Sequence, residues 1–300
     1  MPATTRRRAI IAPSSNKPGR ASHGHKEKCA EGEQAEGCHD YASDMTDAEW
    51  RLIARKLPPR RRLGRPRKVD LRKVVEAILF ILSTGCQWRA LPREFPPYST
   101  VRGYFYAWRD TRRWHRIVRA LVRQARRKLG RKPTPTAAVI DSQSAPTTQA
   151  GGPRGFDPGK RVHGRKRHIV TDTNGLLLAV HVHPANVQDV HGAVPLLERL
   201  RDRLPKLRHV FADRVYRGKQ LVDALSHCGP WTIEIVQRPP GVKGLQLLPR
   251  RWVVERTFAW FGRCRRLAKD FEGSASTEVA WLLVAHIRLL TRRLARPSKC

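Results

Sequence analysis

The hydrophobic pattern changes period near residue 133, and this change restricts the chain to a helical part followed by a mixed α/β part. Between residues 45 and 132, apolar residues recur at helical spacing. The clearest case is Asp70 to Thr84, which places one broad apolar face before Gly85, a predicted C-cap. After Pro133-Thr-Pro135, short apolar runs bounded by turn signals predict strands. We therefore predict a helical domain over 45–132 and an α/β domain over 133–300.

The α/β part alternates strands and helices. Two short apolar runs, Ala137 to Asp141 and Val210 to Asp213, each end in a carboxylate. Asn174-Gly175 predicts a hairpin between strands over 167–173 and 176–183. Further elements are predicted as helices over 191–204, 219–227, 249–269 and 277–296 and as a strand over 231–236. This order predicts a mixed sheet covered by helices.

The charge of the chain identifies the kind of partner. Lys and Arg number 60 against 25 Asp and Glu, a net charge of +35, while hydrophobic residues reach 40% and can build a core. A polyanion would offset the self-repulsion of such a chain. The longest apolar run, Ala77 to Leu82, is far too short to span a bilayer, so a nucleic acid is favoured over a membrane surface. Six scattered cysteines are typical of reduced thiols, which predicts a cytoplasmic, nucleoid-associated protein.

Residues 1–44 differ from the rest, because seven Lys/Arg and six Asp/Glu leave them nearly neutral. They contain few large apolar residues, which predicts a disordered extension. Thr46 and Glu49 form a predicted capping box, so the folded part is expected to begin near Met45. An alternative is that Met45 is the true first residue.

The helical part predicts a DNA-binding surface. On one helix that runs from about Thr100 into the arginine-rich segment, three apolar residues share one face, and another face carries Arg102, Tyr106, Arg109 and Arg113. This pattern is typical of a helix-turn-helix reader, although a basic face that touches only phosphates would show the same arginines. The preceding Arg65 and Arg67 form a basic arm that fits a minor groove or a plain linker.

A second basic run lies in the α/β part. It consists of Lys160, Arg161, Arg165, Lys166 and Arg167, with His163 and His168 interspersed. The histidines could act as catalytic bases, but a phosphate-binding basic strand is the favoured interpretation.

Three carboxylates are candidate catalytic residues: Asp141, Asp213 and Glu255. Two Asp at strand ends and a Glu from a helix packed across them would make an all-oxygen site for Mg²⁺, or for Mn²⁺. Two such ions support in-line displacement at phosphorus. Taken singly, each carboxylate also has a structural explanation. Asp141 could be a turn residue, and Glu255 could pair with Arg251 or Arg256.

Several motifs resemble those of the DDE transposases of bacterial insertion sequences, and most closely the insertion sequence 5 group. They are Ile140-Asp-Ser-Gln-Ser144, Gly164-Arg-Lys-Arg-His168, Ala185-Asn-Val-Gln-Asp-Val190, Ala212-Asp-Arg-Val-Tyr-Arg-Gly218 and Arg251-Trp-Val-Val-Glu-Arg-Thr-Phe-Ala-Trp260. The resemblance covers about residues 45–296.

The resemblance implies a ribonuclease-H-like catalytic core preceded by an all-helical region that binds element ends. It maps the catalytic triad onto Asp141, Asp213 and Glu255. Arg251 matches a basic signature around the Glu, with Arg263 and Arg266 nearby, whereas Leu248 and Gly262 stand where the family has Tyr and Lys.

The expected function is therefore a transposase that binds insertion-sequence ends and catalyses two-metal cleavage and strand transfer, as a homodimer on double-stranded DNA. Two alternatives stay open at this point. One is a metal-dependent nuclease on the same core, and the other is an inactive or domesticated copy that only binds DNA.

Overall fold

A computed structural model describes residues 41–59, 66–226, 231–237, 248 and 250–296. The expectations for residues 1–40 and for Arg65 lie outside these described residues. From residue 41 onward the described residues belong to one compact unit. Ordered packing begins before Met45, because the Tyr41 ring stacks on Phe95 with centroids 5.2 Å apart.

Within its described residues, the helical part contains four α-helices, α1 (Asp47–Ala54), α2 (Leu71–Thr84), α3 (Tyr98–Asp110) and α4 (Arg113–Lys128). The capping box predicted for α1 is confirmed. The Thr46 hydroxyl accepts a hydrogen bond from the Glu49 amide, and the Glu49 carboxylate accepts one from the Thr46 amide. Gly85 ends α2 with φ of 74°, a left-handed conformation that glycine adopts without strain.

A break between α3 and α4 is a difference from the sequence expectation, which has one helix continuing into the arginine-rich segment. The chain turns at Arg112, whose φ is 52°. This turn folds Trp114 back onto α3, where its indole N–H donates to the Phe105 carbonyl at 3.3 Å. Trp114 also meets the Trp108 ring edge-on at 5.1 Å. Burial of this aromatic pair offsets the cost of the left-handed residue.

The α/β part contains one six-stranded mixed sheet. Its strands are β1 (Ala137–Pro146), β2 (Gly155–Asp157), β3 (Val162–Asp172), β4 (Leu177–Pro184), β5 (His209–Ala212) and β6 (Thr232–Ile235). The strand order is β2-β3-β1-β5-β6, and β4 also pairs with β3. Strand β1 runs antiparallel to β3 and parallel to β5, and β6 is parallel to β5. The mixed α/β class and the preceding helical region are as predicted.

Four helices accompany the sheet. They are α5 (Asp189–Arg203), α6 (Lys219–Ala224), α7 (Arg251–Gly262) and α8 (Ala275–Ala295). The helix predicted over 249–269 ends at Gly262, and a 3₁₀ turn at Arg265–Leu267 follows it.

Helix α8 joins the two parts of the molecule. It packs against all four helices of the helical part and against α7 and β4. The helices and the sheet consequently share one hydrophobic core. The division at residue 132 into a DNA-binding and a catalytic domain stays a prediction about function. Among the described helices, none combines the length and apolarity that crossing a membrane requires.

Candidate active site

Two of the three predicted carboxylates lie side by side where β1 and β5 separate. The parallel pairing of these strands ends at Val139 and Phe211. Asp141 and Asp213 are each the second residue beyond that pair, so strand alternation directs both to the same face. Asp141 does not end its strand as predicted, because β1 continues to Pro146 in pairing with β3. Beyond Val139, the edge of β1 on the β5 side is therefore no longer paired with β5.

Helix α7 brings the third carboxylate to this edge. It packs against β1 and β3. One nitrogen, Nη2 of Arg251, lies 3.0 Å from Asp213 Oδ2 and 3.2 Å from Glu255 Oε1. Arg251 and Glu255 are one helical turn apart, so a single guanidinium links the strand end to the helix. Glu255 is exposed, and its side chain reaches the site from the solvent side.

The carboxyl of Asp141 lies in an environment that disfavours its charge. Burial raises its pKa to about 6, while a hydrogen bond from the Ser142 amide and the nearby Arg251 guanidinium act in the opposite direction. The neighbouring Asp213 raises it further. A bound cation would favour the ionised form of such a group.

The donor set suits a hard divalent cation, since all three groups offer carboxylate oxygens. Within the described residues, no three His, Cys, Asp or Glu side chains are gathered closely enough to hold a metal. The Arg251 guanidinium supplies the positive charge between Asp213 and Glu255. The residues fit Mg²⁺ or Mn²⁺ by their chemistry, and binding would require Arg251 to yield at least one of its two carboxylates.

A buried polar network behind Asp141 was missed by the sequence interpretation. Ser142 Oγ donates to Asp189 Oδ1. The buried Tyr216 hydroxyl lies 3.4 Å from Nδ1 of His168. His168 pairs with Ser142 across β3 and β1, and its Nε2 lies 3.5 Å from Asp189 Oδ1. The strand ends that carry Asp141 and Asp213 are thus tied together from within.

The sequence held one partial signal for this network. Burial lowers the pKa of His168 well below its usual value, so the ring is neutral. With the ring proton on Nε2, which faces Asp189, Nδ1 accepts a hydrogen bond from the Tyr216 hydroxyl. His168 therefore acts neither as a surface base nor as a phosphate ligand. Asp189 is the first residue of α5, and its contact with Ser142, 47 residues earlier, has no local signal in the sequence.

The predicted phosphate-binding strand is partly wrong. Arg165, Lys166 and Arg167 are at most 3% exposed, because β3 is covered on both faces. Arg165 pairs with Asp270 at 2.8 Å, Lys166 lies 3.4 Å from an Asp189 oxygen, and Arg167 pairs with Glu278. These side chains carry internal ion pairs and are not available to DNA.

Arg266 is also buried, and its guanidinium pairs with Glu272. Its predicted DNA contact is therefore wrong for the same reason.

Other predicted basic residues do lie at the surface. Lys160, Arg161 and Arg263 are exposed. On α3, the guanidinium carbons of Arg102 and Arg109 lie 5.5 Å and 4.7 Å from the centre of the Tyr106 ring.

Two predicted DNA contacts are partly occupied by backbone carbonyls. Arg113 donates to the Lys56 carbonyl at 3.3 Å, and Arg67 donates to the Pro58 carbonyl at 3.1 Å. The predicted apolar side of α3 is confirmed, since Val101, Phe105 and Trp108 are at most 3% exposed.

Two family models match this chain. The model described as "Transposase DDE domain" matches residues 132–290, and the model described as "Putative transposase of IS4/5 family" matches residues 45–118. A curated relative, the "Putative transposase for insertion sequence element IS402" of Burkholderia cepacia, is 40% identical over 126 residues. That match covers 40% of this chain and 59% of the relative, so the chain spans about three fifths of the relative's length.

Proposed function

Because the chain belongs to the family of transposases with a DDE domain, we propose that it cleaves DNA at the ends of an insertion sequence and joins those ends to a target. Asp141, Asp213 and Glu255 are the proposed catalytic carboxylates. The observation that carries the proposal is their convergence: two Asp lie at the same register beyond the last β1–β5 pair, and Arg251 links one of them to Glu255.

We further propose that the sheet is a ribonuclease-H-like core. Its strand order supports this assignment, since three antiparallel neighbours (β4, β3 and β1) are followed by two parallel strands (β5 and β6). Asp141 then lies on the central strand and Asp213 lies at the end of the adjacent parallel strand. Sites of α/β sheets collect at such carboxyl ends.

Mg²⁺ or Mn²⁺ held by the three carboxylates would supply an activated hydroxyl nucleophile and stabilise the charge that develops on the phosphate. The chain's own basic residues would hold the DNA. Lys160 is exposed beside the site, and its Nζ lies 3.3 Å from the Ser142 carbonyl. Arg251 already faces the carboxylates and could exchange one of them for a phosphate oxygen.

The helical part is the proposed reader of the element ends. Arg102 is exposed on α3 and lies against the partly exposed Tyr106. The two can present a cation and an aromatic ring to DNA from one helical face. Because two ends must be joined to one target, we also propose a homodimer on DNA, which light scattering of the complex would detect.

The test is an assay with linear element ends, a supercoiled target plasmid and Mg²⁺. The wild-type protein is expected to give cleaved and joined products. Asp213→Asn is expected to lose both by at least a hundredfold while binding the ends with unchanged affinity, because a carboxylate is replaced by a neutral amide of the same shape. Asp202→Asn, an exposed residue of α5, is the matched control and should act as wild type.

Each other outcome has a defined meaning. Cleaved products without joined ones would identify a metal-dependent nuclease. DNA binding without either product, in the wild type and with both Mg²⁺ and Mn²⁺, would identify a binding-only copy and would contradict the proposal.

A further inference from the structure

A cavity of about 590 Å³ between α7 and α8 is lined by six arginines and, among the described residues, by no acidic one. The arginines are Arg256, Arg263, Arg288, Arg292, Arg293 and Arg296. We call this cavity the arginine pocket. Helix α7 contributes residues to both the pocket and the candidate active site, because Arg256 directly follows Glu255 in its sequence.

The pocket's guanidinium groups are not neutralised by carboxylates. Within the described part of the chain, none of the six forms an ion pair. Their hydrogen-bond acceptors are neutral: Arg256 donates to the Asn174 carbonyl, Arg288 to the Ser83 hydroxyl and Arg292 to the Ala42 carbonyl. Glu49 acts electrostatically on Arg288 but does not line the pocket.

The arginines of the pocket repel one another electrostatically. Burial and then the neighbouring Arg293 lower the pKa of Arg256, and burial and then Arg292 lower the pKa of Arg288. Both groups stay charged at neutral pH because an arginine begins above 12. Such a cluster is stabilised when an anion enters it.

The donors are also held in place. The Arg256 guanidinium lies between two indole rings, 4.3 Å from the centre of Trp252 and 4.6 Å from that of Trp260. The Nε groups of Arg256 and Arg288 are buried without an acceptor. Buried donors without acceptors are costly, and a ligand oxygen would satisfy them.

We propose that the arginine pocket binds consecutive phosphates of a DNA backbone, as an anchor separate from the carboxylate site. Six positive charges exceed what one inorganic phosphate can neutralise, whereas a DNA strand supplies a charge at every nucleotide. Because α7 carries both Glu255 and Arg256, DNA held here is fixed to the helix that presents a proposed catalytic group. The inference rests on the proposed activity on DNA.

The first experiment measures DNA binding by fluorescence anisotropy, with the full chain, a labelled duplex, EDTA and increasing NaCl. The variant Arg263→Gln with Arg293→Gln removes two pocket charges whose side chains form no hydrogen bond among the described residues. Each lost phosphate contact lowers the salt slope of log K by about 0.9, so the double variant is expected to lose about 2 units of slope. The control, Lys206→Gln with Arg208→Gln, removes two exposed charges elsewhere and should keep the wild-type slope.

The second experiment locates the DNA directly. A photo-crosslinking amino acid at Leu289, which lines the pocket, is expected to attach to the duplex, whereas the same probe at the exposed Val222 is not. Equal salt slopes for the pocket and control variants would overturn the proposal. Crosslinks from Leu289 only to a second copy of the chain would also overturn it and would indicate a protein interface.

A third arm separates the possible sources of phosphate. Inorganic tripolyphosphate should compete with the duplex only weakly. If it instead saturates the pocket at micromolar concentration and the duplex does not bind there, the site is one for small phosphate compounds and the proposal fails. These readouts concern binding alone, so they are independent of whether wild-type protein cleaves and joins DNA.

Discussion

At the scale of single residues, the site depends on groups that do not touch the reacting atoms. Ser142 is adjacent to Asp141, and Tyr216 belongs to the 3₁₀ turn that Asp213 caps. Their hydroxyls meet at His168 and Asp189 in the interior. This network ties the two strand ends together, because Ser142, His168, Asp189 and Tyr216 come from four different elements.

Tyr216→Phe tests that function. Removing the hydroxyl leaves His168 Nδ1 without its donor, and a free energy of unfolding lower by about 1–3 kcal/mol is expected. The rate of strand cleavage at saturating DNA should fall while DNA affinity is unchanged. Urea unfolding and single-turnover kinetics provide the two measurements. Tyr98→Phe, at an exposed residue, is the control, and equal behaviour of both variants would refute the positioning role.

The three carboxylates could be selected from the sequence because an apolar run that ends in an Asp and a helical pattern around a Glu are local features. The sequence could not predict that the basic residues of β3 are buried, because burial of an arginine depends on a partner far along the chain. Arg165 pairs with Asp270, which is 105 residues away. Lys and Arg are almost never fully buried unless paired, so exposure was the reasonable expectation in the absence of that contact.

At the scale of elements, helix α5 packs so closely on the histidines of β3 and β4 that Gly192 has no room for a side chain. A Cβ at Gly192 would lie 2.2 Å from His183 Nε2 and 2.8 Å from His168 Nε2. Glycine in a helix is unfavourable in itself, so its presence here reflects close packing.

Gly192→Ala is therefore expected to lower the free energy of unfolding by about 1–3 kcal/mol through overpacking. The matched change Gly103→Ala in α3 meets no atom within 4 Å and should raise it by about 0.5–1 kcal/mol through helix propensity. Chemical denaturation of both variants measures the effects. A stabilising Gly192→Ala would show that α5 can shift away from the histidines.

Helix α8 carries an element contact that depends on pH. His286 is fully buried, accepts the Leu177 amide of β4 at Nε2 over 3.0 Å, and has its pKa lowered to about 3 by burial. Since the unfolded chain binds a proton near pH 6.5 and the folded chain does not, stability falls as the pH drops below 6.5.

Lowering the pH from 7 to 5 should therefore cost the wild type about 2 kcal/mol more than it costs His286→Gln. The measurement is urea unfolding at both pH values, with His163→Gln at an exposed position as the control. An identical pH dependence for wild type and His286→Gln would mean that this histidine binds a proton equally well in the folded and the unfolded chain, which would contradict the expected loss.

The elements themselves were largely predictable, because caps and periodicity are written locally, as in the capping box of Thr46 and Glu49. The break at Arg112 was not predictable. It is set by Trp114 folding back onto Phe105 and Trp108, and no local signal marks the left-handed residue.

At the scale of the whole molecule, the net charge of +35 makes folding sensitive to anions. Self-repulsion is relieved when a polyanion or salt screens it. Dextran sulfate is expected to raise the melting temperature by several degrees, while uncharged dextran of equal size should not. Scanning calorimetry at low ionic strength makes the comparison. No difference between the two polymers would show that charge self-repulsion does not limit the stability of the folded chain.

Helix α8 packs against all four N-terminal helices, against α7 and against β4. In proteins whose DNA-binding and catalytic domains fold separately, one domain can be exchanged without unfolding the other. Here such an exchange would expose the apolar side of α8, including Trp281 and Leu282, which are fully buried. If α3 reads the element ends as proposed, changes in that recognition should come from point substitutions on its exposed face, and chimeras joined near residue 132 should fail to fold unless α8 is transplanted with its helices.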